Sequence, residues 1–391
     1  MKIKILFALL ILSCLLFISC NDGPSPIGSN LVSSENLIIK TFDTSIDTVS
    51  QYSKYFKKVI TLGASAKILV GRYDDIEASG LMRFVFSLAD SLKEDINNNN
   101  INVLEAKITL RRTYQYGDST ASMNFSVHKV NYLWSPFDFT IDSLSLLNPD
   151  PDDVSSNIEY TDSTCLFNLS TDLVTGWMKL ASGDTTFKNY GLYLKPEASA
   201  GKVIGFQAYT STTSNEPMLQ VVIQKTGSYT DTISAIIVAD NSLVDGNIPT
   251  IPSDEIAAQA GISVNAFLAF DFSGFPKGTV INSAKLYLTE DSVETKTGSS
   301  FSNTLTVYFA KDSSDYTFES GSGLTLLYSD GKFNGDITSY VREWVFRNNN
   351  NGIIIRPGNQ FEGLEKFVLK GSNASDISVR PRIKIVYSVK N

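Results

Sequence analysis

The sequence predicts an all-β protein of two tandem antiparallel β-sandwich, jelly-roll-like domains, each carrying one short helix. Three observations predict it: sequence blocks recur in the same order in the two halves of the chain, most blocks alternate apolar and polar residues with a period of two, and one block per half changes to a helical period. Short strands at regular spacing with turn residues between them belong to sandwiches.

The first block is Leu81 to Ser87, matched by Phe267 to Ser273, with Met82, Phe84 and Phe86 in register with Leu268, Phe270 and Phe272. Each reads as a strand with one face in a core. The second pairs Glu105 to Leu110 with Ser283 to Leu288, and the third pairs Phe125 to His128 with Leu305 to Tyr308. In the fourth, Ser170-Thr171-Asp172 and Asp336-Ile337-Thr338 stand where they would cap short helices carrying Trp177 and Trp344. The fifth sets Asn189-Tyr190-Gly191-Leu192-Tyr193-Leu194-Lys195-Pro196 against Asn350-Asn351-Gly352-Ile353-Ile354-Ile355-Arg356-Pro357. The last pairs Glu216 to Ile223 with Arg380 to Tyr387, each with a Pro where a strand tolerates a missing N–H. Insertions in the first half, at 97–100 and 138–157, are expected as surface loops. The junction is expected near Lys225 to Tyr229, dividing residues 36–226 from 227–391.

Ahead of the repeat lies a leader. Lys2 and Lys4 precede an apolar run from Ile5 to Ile18 that ends at Ser19-Cys20. The run is short for a membrane span, which needs about 20 residues, so residues 1–19 read as a lipoprotein signal peptide and Cys20 as its lipidated residue. An ordinary secretory signal and an uncleaved anchor are the alternatives. Residues 20–35 are small, polar and rich in turn formers, and read as a flexible tether. Two or three acyl chains, at about 0.8 kcal/mol per buried methylene, would hold Cys20 in a membrane. Asn21, not Asp, follows Cys20, so outer membrane or cell surface is the expected location, with a periplasm-facing position as the alternative.

The whole chain has 33 basic and 41 acidic side chains, a net charge of −8. Loss of residues 1–19, with Lys2 and Lys4, leaves 31 against 41, a mature charge of −10. An acidic chain with one histidine is a poor match for nucleic acid, which is bound by neutralising phosphates. Only Cys20 and Cys165 remain after the leader, so no disulfide framework is expected, and Cys165 reads as a buried, inert thiol.

These blocks, in this order, resemble the DNRLRE family of extracellular β-sandwich modules, which includes a class of carbohydrate-binding modules. The residues that carry the resemblance are Leu81-Met82-Arg83-Phe84 and Ala269-Phe270-Asp271-Phe272, Val130 to Trp134, the two Trp-bearing helical turns, Asn350 to Ile355 and Arg380 to Ile383. The second copy has no clear equivalent of Trp134, Tyr316 being the nearest, and 240–260 reads as irregular. Gly23 to Val32 with Thr41 to Leu62 is similar to a family of gram-negative lipoproteins that has no assigned activity. The resemblance implies polysaccharide binding, and leaves room for loosely bound calcium.

No catalytic constellation is expected. His128, the sole histidine, reads as a strand residue with a satisfied ring, and Asp74, Asp75 and Glu77 as a solvated acidic loop. The run Asn148 to Asp153, with Glu159 beyond, has a calcium-loop-like spacing of oxygens but Asp153 where such a loop needs Gly. No metal site and no cofactor are therefore assigned. Glycan stacking needs exposed aromatic faces, and the candidates are Tyr73 beside Arg72, Trp134 at the start of an insertion with Phe137 and Phe139, and Tyr287 on the outward face of its strand; a satellite core beneath the insertion accounts equally well for Trp134, Phe137 and Phe139. Tyr114 and Tyr116 read as core. The expected function is a non-catalytic, membrane-anchored, polysaccharide-binding lipoprotein; a structural or adhesion protein without a glycan ligand is the alternative.

Overall fold

The structure, a computed structural model, describes residues 37–390 apart from 48, 210–215, 277, 320, 322 and 348–349. The leader, Cys20 and the tether lie outside the described residues. With 49% of residues in strands and 11% in helices the protein is all-β, and its strands form two hydrogen-bonded antiparallel sets, each folded around a core.

The repeat read from the sequence is reproduced in the pairing register. Met82 faces Leu192 and Val127 faces Leu194 in the first half; Leu268 faces Ile353 and Val307 faces Ile355 in the second. Ala106 faces Val221, as Ala284 faces Ile385. The apolar members of each alternating block are buried, Ala106, Ile108 and Leu110 in one core and Ala284, Leu286 and Leu288 in the other. Period-two alternation places every second side chain on one face, so these strands have one admissible register.

The fifth block has a steric explanation. Gly191 and Gly352 adopt φ of +97° and +83°, and a Cβ there would meet Met82 O at 2.5 Å and Leu268 O at 2.8 Å. Only glycine fits both the backbone angle and the approach. The Asn two residues earlier completes the turn: Asn189 donates to Phe84 O at 2.7 Å, and Asn350 donates to Phe270 O.

Two helices stand in equivalent places, α2 (Thr171–Ala181) and α3 (Thr338–Arg347), and the first half has an additional helix, α1 (Asp90–Asn97). Ser170 caps α2 by accepting from Leu173 N, and Asp336 accepts from Thr338 N at 2.8 Å at the start of α3. Trp177 and Trp344 are buried in their cores, and in both the indole N–H has no partner among the described residues.

The sheets do not follow the expected division at 226/227. Lys225 to Tyr229 is the tip of a hairpin, with Lys225 facing Tyr229, and the strand Tyr229–Asp245 belongs to the first sandwich. Its first half pairs with Met218–Lys225 and its second with Ile76–Val85, with a bulge at 237–239, so it crosses from one layer to the other as corner strands do. The counterparts of this strand in the second sandwich come from the start of the described chain: Leu37–Asp43 pairs with Arg382–Lys390, and Gln51–Lys57 pairs with Val264–Phe270. The first half thus lends its two leading strands to the second sandwich, and the second half lends its leading strand to the first. Residues 240–260, read from sequence as irregular, hold the end of one such strand and the regular strand Glu255–Gln259.

A bidentate ion pair fastens the borrowed strand. Asp43 accepts from Arg382 Nε at 2.8 Å and from its Nη2, and that guanidinium holds the Asp43 carboxyl well below the usual carboxylate range. A third apolar cluster joins the two sandwiches, with Leu69, Tyr114 and Val203 from the first against Ala257, Val264, Leu364 and Val368 from the second. Leu364 N–H donates to the Tyr114 hydroxyl at 2.9 Å, and Ser299 and Gln115 exchange two hydrogen bonds. Tyr114 and Tyr116 are core as expected, but it is this shared core that they fill.

Candidate functional site

The largest described cleft, 730 Å³, lies on the outer face of the first sandwich. Its floor is the pair of strands Ile76–Val85 and Tyr229–Asp245, where Arg83 faces Ala239. Its wall is the segment from Tyr132 to Leu146, and Tyr209 stands at its margin. Thr61 Oγ1 donates to Pro136 O at 2.7 Å and Asn241 Nδ2 to Phe139 O at 2.8 Å, so the wall is tied to the sandwich at two points. The 3-10 helix Ile141–Leu147 within the insertion buries Leu147 beneath it, in a satellite core with Leu81, Val130 and Phe139.

Trp134 is in this cleft, but it is 3% exposed and donates its indole N–H to Tyr190 O at 2.8 Å. It is a buried member of the wall, held by packing and a hydrogen bond. The exposed rings are its neighbours: Phe137 is 79% exposed, and Tyr132 and Tyr209 are both exposed. Arg83 places its guanidinium 5.9 Å from the Trp134 ring. Asp240, 6% exposed, accepts from Tyr209 N at 2.7 Å, and burial pushes its carboxyl up to about 7.

The cleft therefore combines apolar rings at its mouth with a guanidinium and a buried carboxyl at its base, the mixture that small-molecule and sugar sites use. Sequence reading missed Tyr132, Tyr209, Arg83 and Asp240 because three distant segments bring them together. The one available signal was Arg83, an outward residue in a strand block whose second copy has Ala269.

The other two aromatic candidates lie elsewhere. Tyr73 is packed edge-on against Tyr116 at 5.5 Å under the Lys296 ammonium, in the contact between the sandwiches. Tyr287 lies half-buried on the second sandwich with Arg382 5.5 Å from its ring. Neither lines the cleft with Trp134.

His128 has both ring nitrogens engaged, Nε2 with Ser126 Oγ at 2.7 Å and Nδ1 with Asp150 O at 2.9 Å. Neither Ser126 nor His128 lines any of the described clefts. Asp74 pairs with Lys296 at 3.0 Å, Asp75 accepts from Asn247 N, and Glu77 pairs with Arg72. In the calcium-like loop, Asp153 accepts from Val127 N and Ser155 N, while Asp150 accepts from Asn131 and pairs with Lys129. Its carboxylates bind their own surroundings. Among the described residues no group of three or more His, Cys, Asp or Glu side chains could hold a metal ion. Cys165 is fully buried, and burial pushes its thiol up to about 12.

No protein-family model matches this chain, and no curated protein matches it. The solved structure of the infectious bursal disease virus VP2 subviral particle aligns over 93% of this chain and 82% of that one, at 10% identity and a TM-score of 0.11. A likeness that slight bears on neither fold nor function. No described helix is long and apolar enough to cross a membrane.

Proposed function

We propose that this chain is a non-catalytic, membrane-anchored lipoprotein that binds polysaccharide in the cleft of its first sandwich. The observation that carries the reading is the exposed set Tyr132, Phe137 and Tyr209 at the mouth of a 730 Å³ cleft with Arg83 and Asp240 at its base. Rings present flat apolar faces to the C–H side of a sugar, and the polar groups beneath them meet hydroxyls. Phe137 at 79% exposure has no role in the fold that would explain leaving it in water.

Affinity electrophoresis of residues 36–391 through gels containing a panel of polysaccharides tests this. Retardation by at least one polymer is expected, and Tyr132→Ala or Phe137→Ala should each weaken it about tenfold, the value of one good anchoring ring. Unchanged mobility in every gel would sink the reading. It would leave a structural or envelope-organising lipoprotein, which the shared core and exchanged strands also suit.

For the anchor, Cys20→Ala is expected to abolish incorporation of labelled palmitate and to move the protein from the membrane to the soluble fraction. Equal labelling of the variant would refute lipidation at Cys20.

A further inference from the structure

The second sandwich carries an aromatic face of its own, in the place that corresponds to the cleft of the first. Phe267, Ala310 and Ile354 stand where Leu81, Val130 and Tyr193 stand in the first half, and Tyr316 packs on Phe267 at 5.2 Å, much as Trp134 joins Leu81. Tyr316 is thus the second copy's counterpart of Trp134. Tyr308 and Phe318 extend the cluster, 4.6 Å apart.

Two cations rest on these rings. Lys54 Nζ lies 4.0 Å from the centre of Tyr316, and the Arg356 guanidinium lies 5.1 Å from Phe318, 5.5 Å from Tyr308 and 5.9 Å from Phe361. Neither has a carboxylate partner among the described residues, in a chain whose acids outnumber its bases. Arg356 Nε is buried without a hydrogen bond, and burial lowers the affinity of its guanidinium for a proton. Nearby acids are already committed: Glu319 pairs with Lys311, Asp312 accepts from Ser314 N, and Asp315 accepts from Thr317 N. The first half has Lys195 at the position of Arg356, exposed and with no cation–π contact among the described residues.

A partly buried guanidinium without a counter-ion is costly unless something supplies one. Ring faces recover part of that cost through cation–π attraction, about 0.5–2 kcal/mol, and leave the donor edge of the guanidinium free. Phe361, 40% exposed, is the ring of this set that faces solvent most openly.

We infer that this face of the second sandwich binds an acidic polysaccharide, with Arg356 and Lys54 meeting carboxylate or sulfate groups on sugars that stack on the surrounding rings. Successive negative charges along one polymer suit two cations on one aromatic cluster. The inference rests on the reading of the chain as a polysaccharide binder, but on a different face and a different set of residues.

The test uses the full-length protein in detergent, with affinity gels of polygalacturonate, dextran sulfate and neutral dextran, each at low and high salt. Retention by at least one acidic polymer is expected, weakening with salt. Arg356→Gln and Lys54→Gln should each reduce it about tenfold, and the double variant should lose it. Arg356→Lys, which keeps the charge but loses the fork of donors, should fall between. Lys54→Gln lies on a half-exposed strand position, so it keeps the test decisive if Arg356→Gln fails to fold. Acidic retention lost on these substitutions but kept by Phe137→Ala supports this site even if the cleft reading fails. Acidic retention that the double variant leaves unchanged overturns the inference, as does no acidic retention by the wild type. Binding only to vesicles of anionic phospholipid also overturns it.

Discussion

Expressed separately, residues 36–226 and 227–391 are expected to be unfolded, whereas residues 58–245 should fold. The first piece lacks Tyr229–Asp245, which pairs with both Met218–Lys225 and Ile76–Val85, and so loses the strand that joins its two layers. Ala235, Ile237 and Ala239 leave its cores, and the backbone groups of two strands lose their partners. The second piece lacks Leu37–Asp43 and Gln51–Lys57, together with the Asp43–Arg382 pair. Residues 58–245 include every strand of the first hydrogen-bonded set. Amide dispersion in NMR spectra and resistance to protease would read the outcome. Equimolar mixing of the two unfolded pieces should restore the native spectrum, because all strand partners are then present. Native-like spectra from both isolated pieces would show that the borrowed strands are dispensable.

Asp240→Asn is expected to stabilise the protein at pH 8 on the order of 3–4 kcal/mol, with little effect near pH 4. The Asp240 carboxyl titrates near 7 in the folded chain, against 3.8 for the unfolded value. The folded state therefore holds the proton more tightly. Its contribution to stability is complete below about pH 4, falls as pH rises toward 7, and is gone above that. Each unit of difference is about 1.4 kcal/mol. Asn can still accept the Tyr209 N–H bond and has no charge to bury, so its stability should lack this fall. Urea midpoints measured from pH 4 to 8 would decide it; parallel curves for the two proteins would show that Asp240 is solvated and ionised like a surface carboxylate.

Local pattern made most of the fold legible. Alternation in Glu105 to Leu110 and Ser283 to Leu288 identifies buried faces because a strand admits one answer to which residues point inward. The Asn-x-Gly turns were readable because φ above zero and contact with a carbonyl leave glycine alone. What pattern could not supply is which strands pair at long range. Leu37–Asp43 is an ordinary apolar run, and nothing in it specifies Arg382–Lys390 as its neighbour; the pairing is settled by core complementarity and by the Asp43–Arg382 contact across the whole chain. The same limit applied to the site. Sequence left Trp134 open between a stacking ring and a satellite core, and it is the core that holds it, with Phe139, while Tyr209 and Asp240 reach the cleft from segments far away in sequence. Tyr73 looked like a loop ring because its partner, Lys296, comes from the other half.

The exchange of leading strands also sets a timetable. In a chain made from its N-terminus, Leu37–Asp43 is the first of the described strands to emerge, yet its pairing partner Arg382–Lys390 is the last of them. The second sandwich cannot close until Arg382–Lys390 has been made, and Leu37–Asp43 must stay without its partner until then. The first sandwich waits only for Asp245. Such long-range closure makes slow folding, and it leaves an apolar strand, Leu37-Ile38-Ile39, open to wrong partners in the interval. Slow acquisition of protease resistance, with the first sandwich protected before the second, is the kinetic signature this order of assembly would leave.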